Sequence, residues 1–262
     1  MKIDDVAVSR SILRDYSSRF DQAMESDVLI AGGGPSGLVA AARLAQEEFR
    51  VVVLEKRLAP GGGVWGGGML MNTIVVQPEA EHLLADLGVR CEVNEAGLLV
   101  AQSVELASAL ILKAVQAGAT ILNATTVQDV MVTDEQVAGL VANFTAVDVT
   151  KMHVDPLMFR SRAVLDGTGH DAVVADLLVK HGFQLRTPSG TIEGEGAMWA
   201  DKGEEAVVTY TREIFPGAYV SGMAACAVFG GPRMGPIFGG MLLSGEKAAG
   251  LIGKALAEKG AR

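Results

Sequence analysis

Asp27-Val-Leu-Ile-Ala-Gly-Gly-Gly-Pro-Ser-Gly37 decides the fold. Val28 to Ala31 form a short apolar strand that runs directly into glycine. Gly32, Gly34 and Gly37 fit G-x-G-x-x-G. The first glycine permits a tight turn, the second lets backbone approach a pyrophosphate, and the third allows close helix–strand packing. Pro35 stands in the first turn of a helix predicted over 35–47. Arg50-Val-Val-Val-Leu-Glu55 is a second apolar strand. Strand, turn, helix and strand within about 30 residues make the parallel unit of a doubly wound sheet. Glu55 ends the second strand, where an acid can accept both ribose hydroxyls and argues against a ribose 2′-phosphate, although Lys56 and Arg57 follow it. A glycine loop alone often makes only a turn. Five features in the right order point instead to an ADP-containing dinucleotide, with its phosphates at the positive end of the helix.

Working outward, Ile12, Leu13, Tyr16, Phe20 and Met24 recur at helical spacing, so an amphipathic helix is expected over 6–24. Helices are also predicted at 78–87, 103–117, 171–182, 203–213 and 239–258, with strands at 119–123, 126–133, 136–143 and 162–166. The expected class is α/β. A mainly parallel, Rossmann-like sheet of the FAD/NAD-binding type carries a small antiparallel layer drawn from the strands around 119–149. The 262 residues show no repeat and no linker, so one domain over 1–262 is expected.

Glycine numbers 32 and clusters at 32–37, 61–68 and 230–240, as it does where backbone approaches a ligand. The net charge is −9 with no basic block, which argues against a general nucleic-acid binder. No apolar run is long enough to span a bilayer. The acidic, polar N-terminus does not read as a secretory signal, and two cysteines, Cys91 and Cys226, make no disulfide framework. A cytoplasmic location is the expectation.

Two further constellations carry chemistry. His153-Val-Asp155-Pro156 precedes the strand at 162–166, and His170 follows it. If the chain folds back, or if two subunits each contribute one, Asp155 and His170 form a His–carboxylate pair suited to Fe(II), Mn(II) or Zn(II). The bland alternatives are a turn at Asp155-Pro156 and a helix cap at His170. Arg233, set between Gly230-Gly231 and Gly239-Gly240, suits a bidentate grip on a small carboxylate, or else bonds loop carbonyls. His82 and His181 lie among charged residues and read as solvated. Nothing resembling a redox pair such as C-x-x-C accompanies the nucleotide site.

Together these segments resemble the thiamine thiazole synthase family along nearly the whole chain. The resemblance is carried by GGGPSG at 32–37, Glu55-Lys56, the loop Pro60-Gly-Gly-Gly-Val-Trp-Gly-Gly-Gly68, His153-Val-Asp-Pro156, Gly169-His-Asp171, Gly222-Met223 and Arg233-Met-Gly-Pro-Ile-Phe-Gly239. In the eukaryotic branch a cysteine stands two residues before the metal-binding aspartate and gives up its sulfur once. His153 stands there in this chain, which therefore resembles the archaeal-type, sulfide-dependent branch with multiple turnover. The resemblance implies a pentosyl-transferase-class enzyme that converts NAD, glycine and sulfide to ADP-5-ethyl-4-methylthiazole-2-carboxylate, releasing nicotinamide and water. It also implies Fe(II) at Asp155 and His170, glycine at Arg233, and dinucleotide contacts from Ala31, Ser36, Glu55, Lys56, Gly63, Val127, His153, Val154, Asp155 and Met223. A homo-octamer in which Asp155 reaches a neighbour's site is implied too. His153 would act as an acid/base or fill the vacated space. The competing readings are a flavin- or NAD-dependent oxidoreductase of the same fold, a ribose-1,5-bisphosphate isomerase-like enzyme, and a non-catalytic adenylate sensor.

Overall fold

A computed structural model describes residues 2–260. β1 (Glu25–Ala31) and β2 (Val51–Glu55) pair in parallel, with Val28 opposite Val51 and Ala31 opposite Leu54. α2 (Pro35–Gln46) crosses between them. Every residue of β2 is buried, as expected of a parallel strand covered on both faces. Side chains sort with a period of two. Val28, Ile30, Val51 and Val53 enter one core with α2, α3 (Glu81–Leu87), α4 (Ser103–Gln116) and α9 (Gly239–Gly260). Leu29, Ala31, Val52 and Leu54 enter the other, with α6 (Val173–Lys180) and α8 (Met223–Phe229).

The main sheet runs β10-β11-β9-β1-β2-β6. β11 (Ala218–Val220), β9 (Leu157–Asp166), β1, β2 and β6 (Thr120–Asn123) are mutually parallel, while β10 (Arg212–Phe215) is antiparallel to β11. β7 (Thr125–Thr133) and β8 (Gln136–Phe144) form an antiparallel hairpin attached to the first half of β9, and α5 (Thr145–Thr150) follows β8. The mainly parallel sheet with its antiparallel layer is thus as the sequence predicts. Two details differ. Residues 120–123 extend the parallel sheet, leaving the antiparallel layer to β7 and β8. The strand predicted at 162–166 begins at Leu157, because its first half alternates exposed and buried residues where it meets β8.

Three short strands escape the sequence reading: β3 (Thr73–Val76), β4 (Cys91–Val93) and β5 (Leu99–Gln102) make a separate antiparallel sheet ordered β3-β5-β4. Strands of three or four residues hold too little alternation to register as a period. The helix predicted at 203–213 is α7 (Ala200–Tyr210), and the segment Arg212-Glu-Ile-Phe215 after it becomes β10. α1 (Asp5–Ala23) is capped by Asp4, whose carboxylate accepts from the Val6 N–H at 3.0 Å. Its apolar face stays open: Ile12 and Leu13 are 66% and 64% exposed. Only its C-terminal end is anchored, where the Phe20 ring meets Phe159 edge-on at 5.7 Å. No helix among the described residues is long and apolar enough to cross a membrane.

Candidate active site

A cavity of about 600 Å³ opens where β1, β2, β9 and β11 end, the edge at which doubly wound sheets receive ligands. Its adenylate end is built as the glycine spacing requires. Gly32 has φ +94°, and a Cβ on it would stand 2.6 Å from the Gly167 carbonyl oxygen. A Cβ on Gly37 would run into the Gly32 carbonyl. No side chain caps α2 at Gly34, so the first N–H groups of this helix are left for an anion. Glu55 is 5% exposed; its Oε2 accepts from the Gly33 N–H and its Oε1 from the Arg57 N–H, both at 2.7 Å. An ionised carboxylate has about four lone-pair sites. Each oxygen therefore keeps capacity for one more donor, such as a ribose hydroxyl. Ser36, Lys56, Gly63, Val127 and Met223 line the same cavity. Lys56 Nζ reaches Asp171 Oδ2 at 3.4 Å, an exposed pair across the cavity wall.

Not every expected contact is at the surface of this space. Ala31 is fully buried, and its carbonyl accepts from the Gly167 N–H at 2.9 Å. Gly37 packs beneath the loop. His153, Val154 and Asp155 are exposed and lie outside the lining of the cavity.

The other end of the cavity carries His170 and Arg233. His170 sits in the single turn Gly169–Asp171, positioned from below by Asp166. Asp166 is fully buried at the end of β9, and its oxygens accept from Thr168 N–H and Oγ1 and from the Val174 and Ala175 N–H groups. Burial nonetheless raises its carboxyl above the usual carboxylate value, with these hydrogen bonds opposing the effect. The His170 side chain does not cap α6. Its Nδ1 lies 2.6 Å from Glu195 Oε1. Arg233 Nε lies 3.6 Å from Glu195 Oε2, and among the described residues its guanidinium bonds no loop carbonyl. Glu195 is thus the residue that sequence reading missed. It lies in an irregular segment without a motif, and only the fold brings it beside two residues from distant loops.

Asp155 and His170 stand at opposite ends of β9. A ten-residue strand at about 3.3 Å per residue spans roughly 30 Å. A single chain therefore cannot join them, and the fold-back alternative is excluded. The Asp155-Pro156 pair forms no turn either, and leads directly into the strand. Among the described residues no three His, Cys, Asp or Glu side chains gather closely enough to hold a metal.

Comparison with known proteins agrees with this geometry. Residues 9–238 match the Thi4 family. The chain belongs to that family. The thiamine thiazole synthase of Methanothermobacter thermautotrophicus is 49% identical over 253 residues, covering 96% of this chain and 98% of that one. The Pyrococcus furiosus protein of the same name is 49% identical over 247 residues, covering 94% and 96%. The crystal structure of Thermovibrio ammonificans THI4 superposes with TM-score 0.96 at 43% identity, covering 98% of this chain and all of that one.

Neither cysteine lines the cavity. Cys226 is fully buried in α8 beneath the cavity, beside Val207, Met223 and Met234. Burial, with smaller contributions from Glu195 and Glu204, pushes its thiol up to about 12. Cys91 lies on the small separate sheet and does not line the cavity. His82 and His181 are half exposed, each against a carboxylate: Glu246 at 3.0 Å and Asp129 at 2.6 Å.

Proposed function

We propose that this chain is a thiamine thiazole synthase of the sulfide-dependent type, which consumes NAD as a carbon source together with glycine and sulfide. The observation that carries the reading is the continuity of one cavity from the glycine loop and Glu55 to His170 and Arg233. A dinucleotide gripped by its ADP half would place its distal ribose toward that second cluster. The ADP half is held still by the α2 N-terminus, Glu55 and Lys56, while the nicotinamide-ribose half is dismantled. Arg233 orients the glycine carboxylate through its terminal nitrogens. Met198, Met234 and Phe238 give the reacting end one apolar wall.

The donor chemistry suits Fe(II): an imidazole of His170 backed by Glu195, joined by Asp155 of a second copy. Bound iron would supply a Lewis acid and a template for sulfide. Assembly is supported by the apolar surface around Asp155, where Val149, Met152, Val154 and Met158 are 71%, 57%, 50% and 56% exposed. It is also supported by the open face of α1. A homo-octamer would bury both and complete each site. An external sulfur donor is supported by His153 standing where a sulfur-donating cysteine would, and by the burial of Cys226. His153 then fills that space or moves a proton near the incoming copy's cavity.

The test is anaerobic incubation of the purified chain with Fe(II), NAD, glycine and sulfide. An adenylated thiazole carboxylate accumulating over several turnovers, identified by mass, is the expected result. Folded protein that forms none under these conditions defeats the proposal, and a yellow protein with NADH-dependent electron transfer would favour an oxidoreductase.

A further inference from the structure

We propose that Glu195 is the positioning residue of the reacting end of the cavity. It fixes which nitrogen of His170 faces the substrates, and it leaves one edge of the Arg233 guanidinium free to bind a carboxylate. The identity of those substrates rests on the thiazole-synthase reading above; the arrangement itself rests on this chain alone.

Three observations carry the inference. The first is the contact of 2.6 Å between His170 Nδ1 and Glu195 Oε1. An ionised carboxylate only accepts, so Nδ1 must be the donor, and a neutral imidazole then bears its lone pair on Nε2. Nε2 has no hydrogen-bond partner among the described residues, and His170 lines the cavity. A ring held in this way offers one fixed lone pair to what the cavity receives, the usual reason for a carboxylate behind a ligating or proton-moving histidine.

The second is the ion pair to Arg233. Glu195 Oε2 lies 3.6 Å from Nε, too far for a hydrogen bond but close enough to orient the charge. Because it faces Nε, the two terminal nitrogens remain a fork for an incoming carboxylate. One carboxylate therefore orders both groups on which the reading depends.

The third is rigidity. Glu195 is 16% exposed at its side chain, whereas His170 and Arg233 are 52% and 54% exposed, so the sheltered member holds the open ones. Its backbone is tied on both sides. The Gly194 N–H donates to the Ala227 carbonyl at 3.0 Å, and the Gly196 N–H donates to the Gly231 carbonyl at 2.9 Å. Gly196 also bridges Pro232, the residue before Arg233. The segments bearing Glu195 and Arg233 therefore form one paired unit lying over the end of α8.

Magic-angle-spinning NMR of protein labelled with 15N-histidine reads the tautomer directly, and only four histidines need assignment. Spectra would be taken about two pH units above the usual imidazole value of ~6.5. The native protein should show His170 protonated at Nδ1. E195A should move the proton to Nε2, while E195Q, whose amide oxygen still accepts, should keep it at Nδ1. In E195Q an amide NH₂ faces Arg233 Nε and no longer orients the guanidinium, so the KM for glycine should rise by roughly tenfold, about 1.4 kcal/mol by the usual conversion, with little change in the KM for NAD. A His170 tautomer unchanged in E195A overturns the imidazole half of the proposal, and an unchanged glycine KM in E195Q overturns the arginine half. If E195A does not fold, an Nε2–H tautomer in the native protein alone overturns the imidazole half. Failure of the thiazole reading looks different: native protein makes no thiazole, yet the tautomer still depends on Glu195.

Discussion

Glu55 Oε2 accepts a hydrogen bond from the Gly33 backbone N–H at 2.7 Å, tying the end of β2 to the loop that leaves β1. The same carboxylate receives the Arg57 N–H on its other oxygen, so Glu55 shapes the loop and also faces the cavity.

Glu55→Gln tests both roles. Glutamine offers one acceptor oxygen where two N–H groups now converge, leaving one nearly buried donor facing an amide NH₂. A stability loss of about 1–3 kcal/mol is expected, the cost of an unsatisfied buried group. Added NAD or ADP-ribose should raise the melting temperature of the native chain and do so much less in the variant. Equal thermal shifts would mean that Glu55 serves the loop alone.

The glycines separate two kinds of failure. A Cβ at Gly34 would meet only the Gly167 carbonyl oxygen at 3.8 Å, and its backbone at φ −75° suits any residue. Gly34→Ala should therefore fold as stably as the native chain and still bind NAD at least about tenfold more weakly, since the added methyl stands where phosphate must approach. Gly37→Ala, with its Cβ driven into the Gly32 carbonyl, should lose about 1–3 kcal/mol of stability in denaturant unfolding. A stable Gly34→Ala chain with native affinity for NAD would argue against a pyrophosphate at this loop.

This contrast marks what the sequence makes legible. β1, α2, β2 and Glu55 are contiguous, and local rules about turns and helix ends dictate them. The site beyond them depends on chain reversals. Nothing near Glu195 announces it, because its partners lie 25 and 38 residues away in sequence, at His170 and Arg233. α8 has six of its seven residues buried, so it shows no polar face and no helical period. The N-terminal helix is legible as a helix, yet its apolar stripe finds little of this chain to cover. The extent of β9 matters most. Read as five residues it allows Asp155 and His170 to meet; at ten it separates them.

Glu204 gives a pH test of how the Arg233 loop is anchored. It is 9% exposed, and its Oε2 accepts from the Gly240 N–H at 2.5 Å at the start of α9. Burial raises its carboxyl above the usual carboxylate value, against the opposing bond from the Gly240 N–H. The folded chain thus holds this proton to higher pH than the unfolded chain does. The stability it contributes is present below the ordinary value of ~4.3 and is lost as pH rises through the raised native value. Glu204→Gln keeps an acceptor for Gly240 and cannot ionise. The melting temperature of the variant minus that of the native chain should therefore climb as pH rises above the ordinary carboxylate value of ~4.3. A difference that stays flat, or falls, would contradict the raised value.

The separation imposed by β9 leads to the last test. If His170 from one copy and Asp155 from another complete each site, His170→Ala and Asp155→Ala should each abolish iron binding while leaving adenylate bound. The two lesions should also complement. Co-expressed in one assembly, a His170→Ala copy supplies Asp155 to an Asp155→Ala copy that retains His170. With random mixing, each site draws an intact member of both kinds with a chance of one half for each. About one quarter of native iron binding and turnover should then return, on the premise of a symmetric assembly with shared sites. Sites contained within one chain would give no recovery at any ratio. Measuring bound iron and product in the same mixed preparation sharpens the test, since a complemented site contains every native residue and iron and product should return in the same proportion.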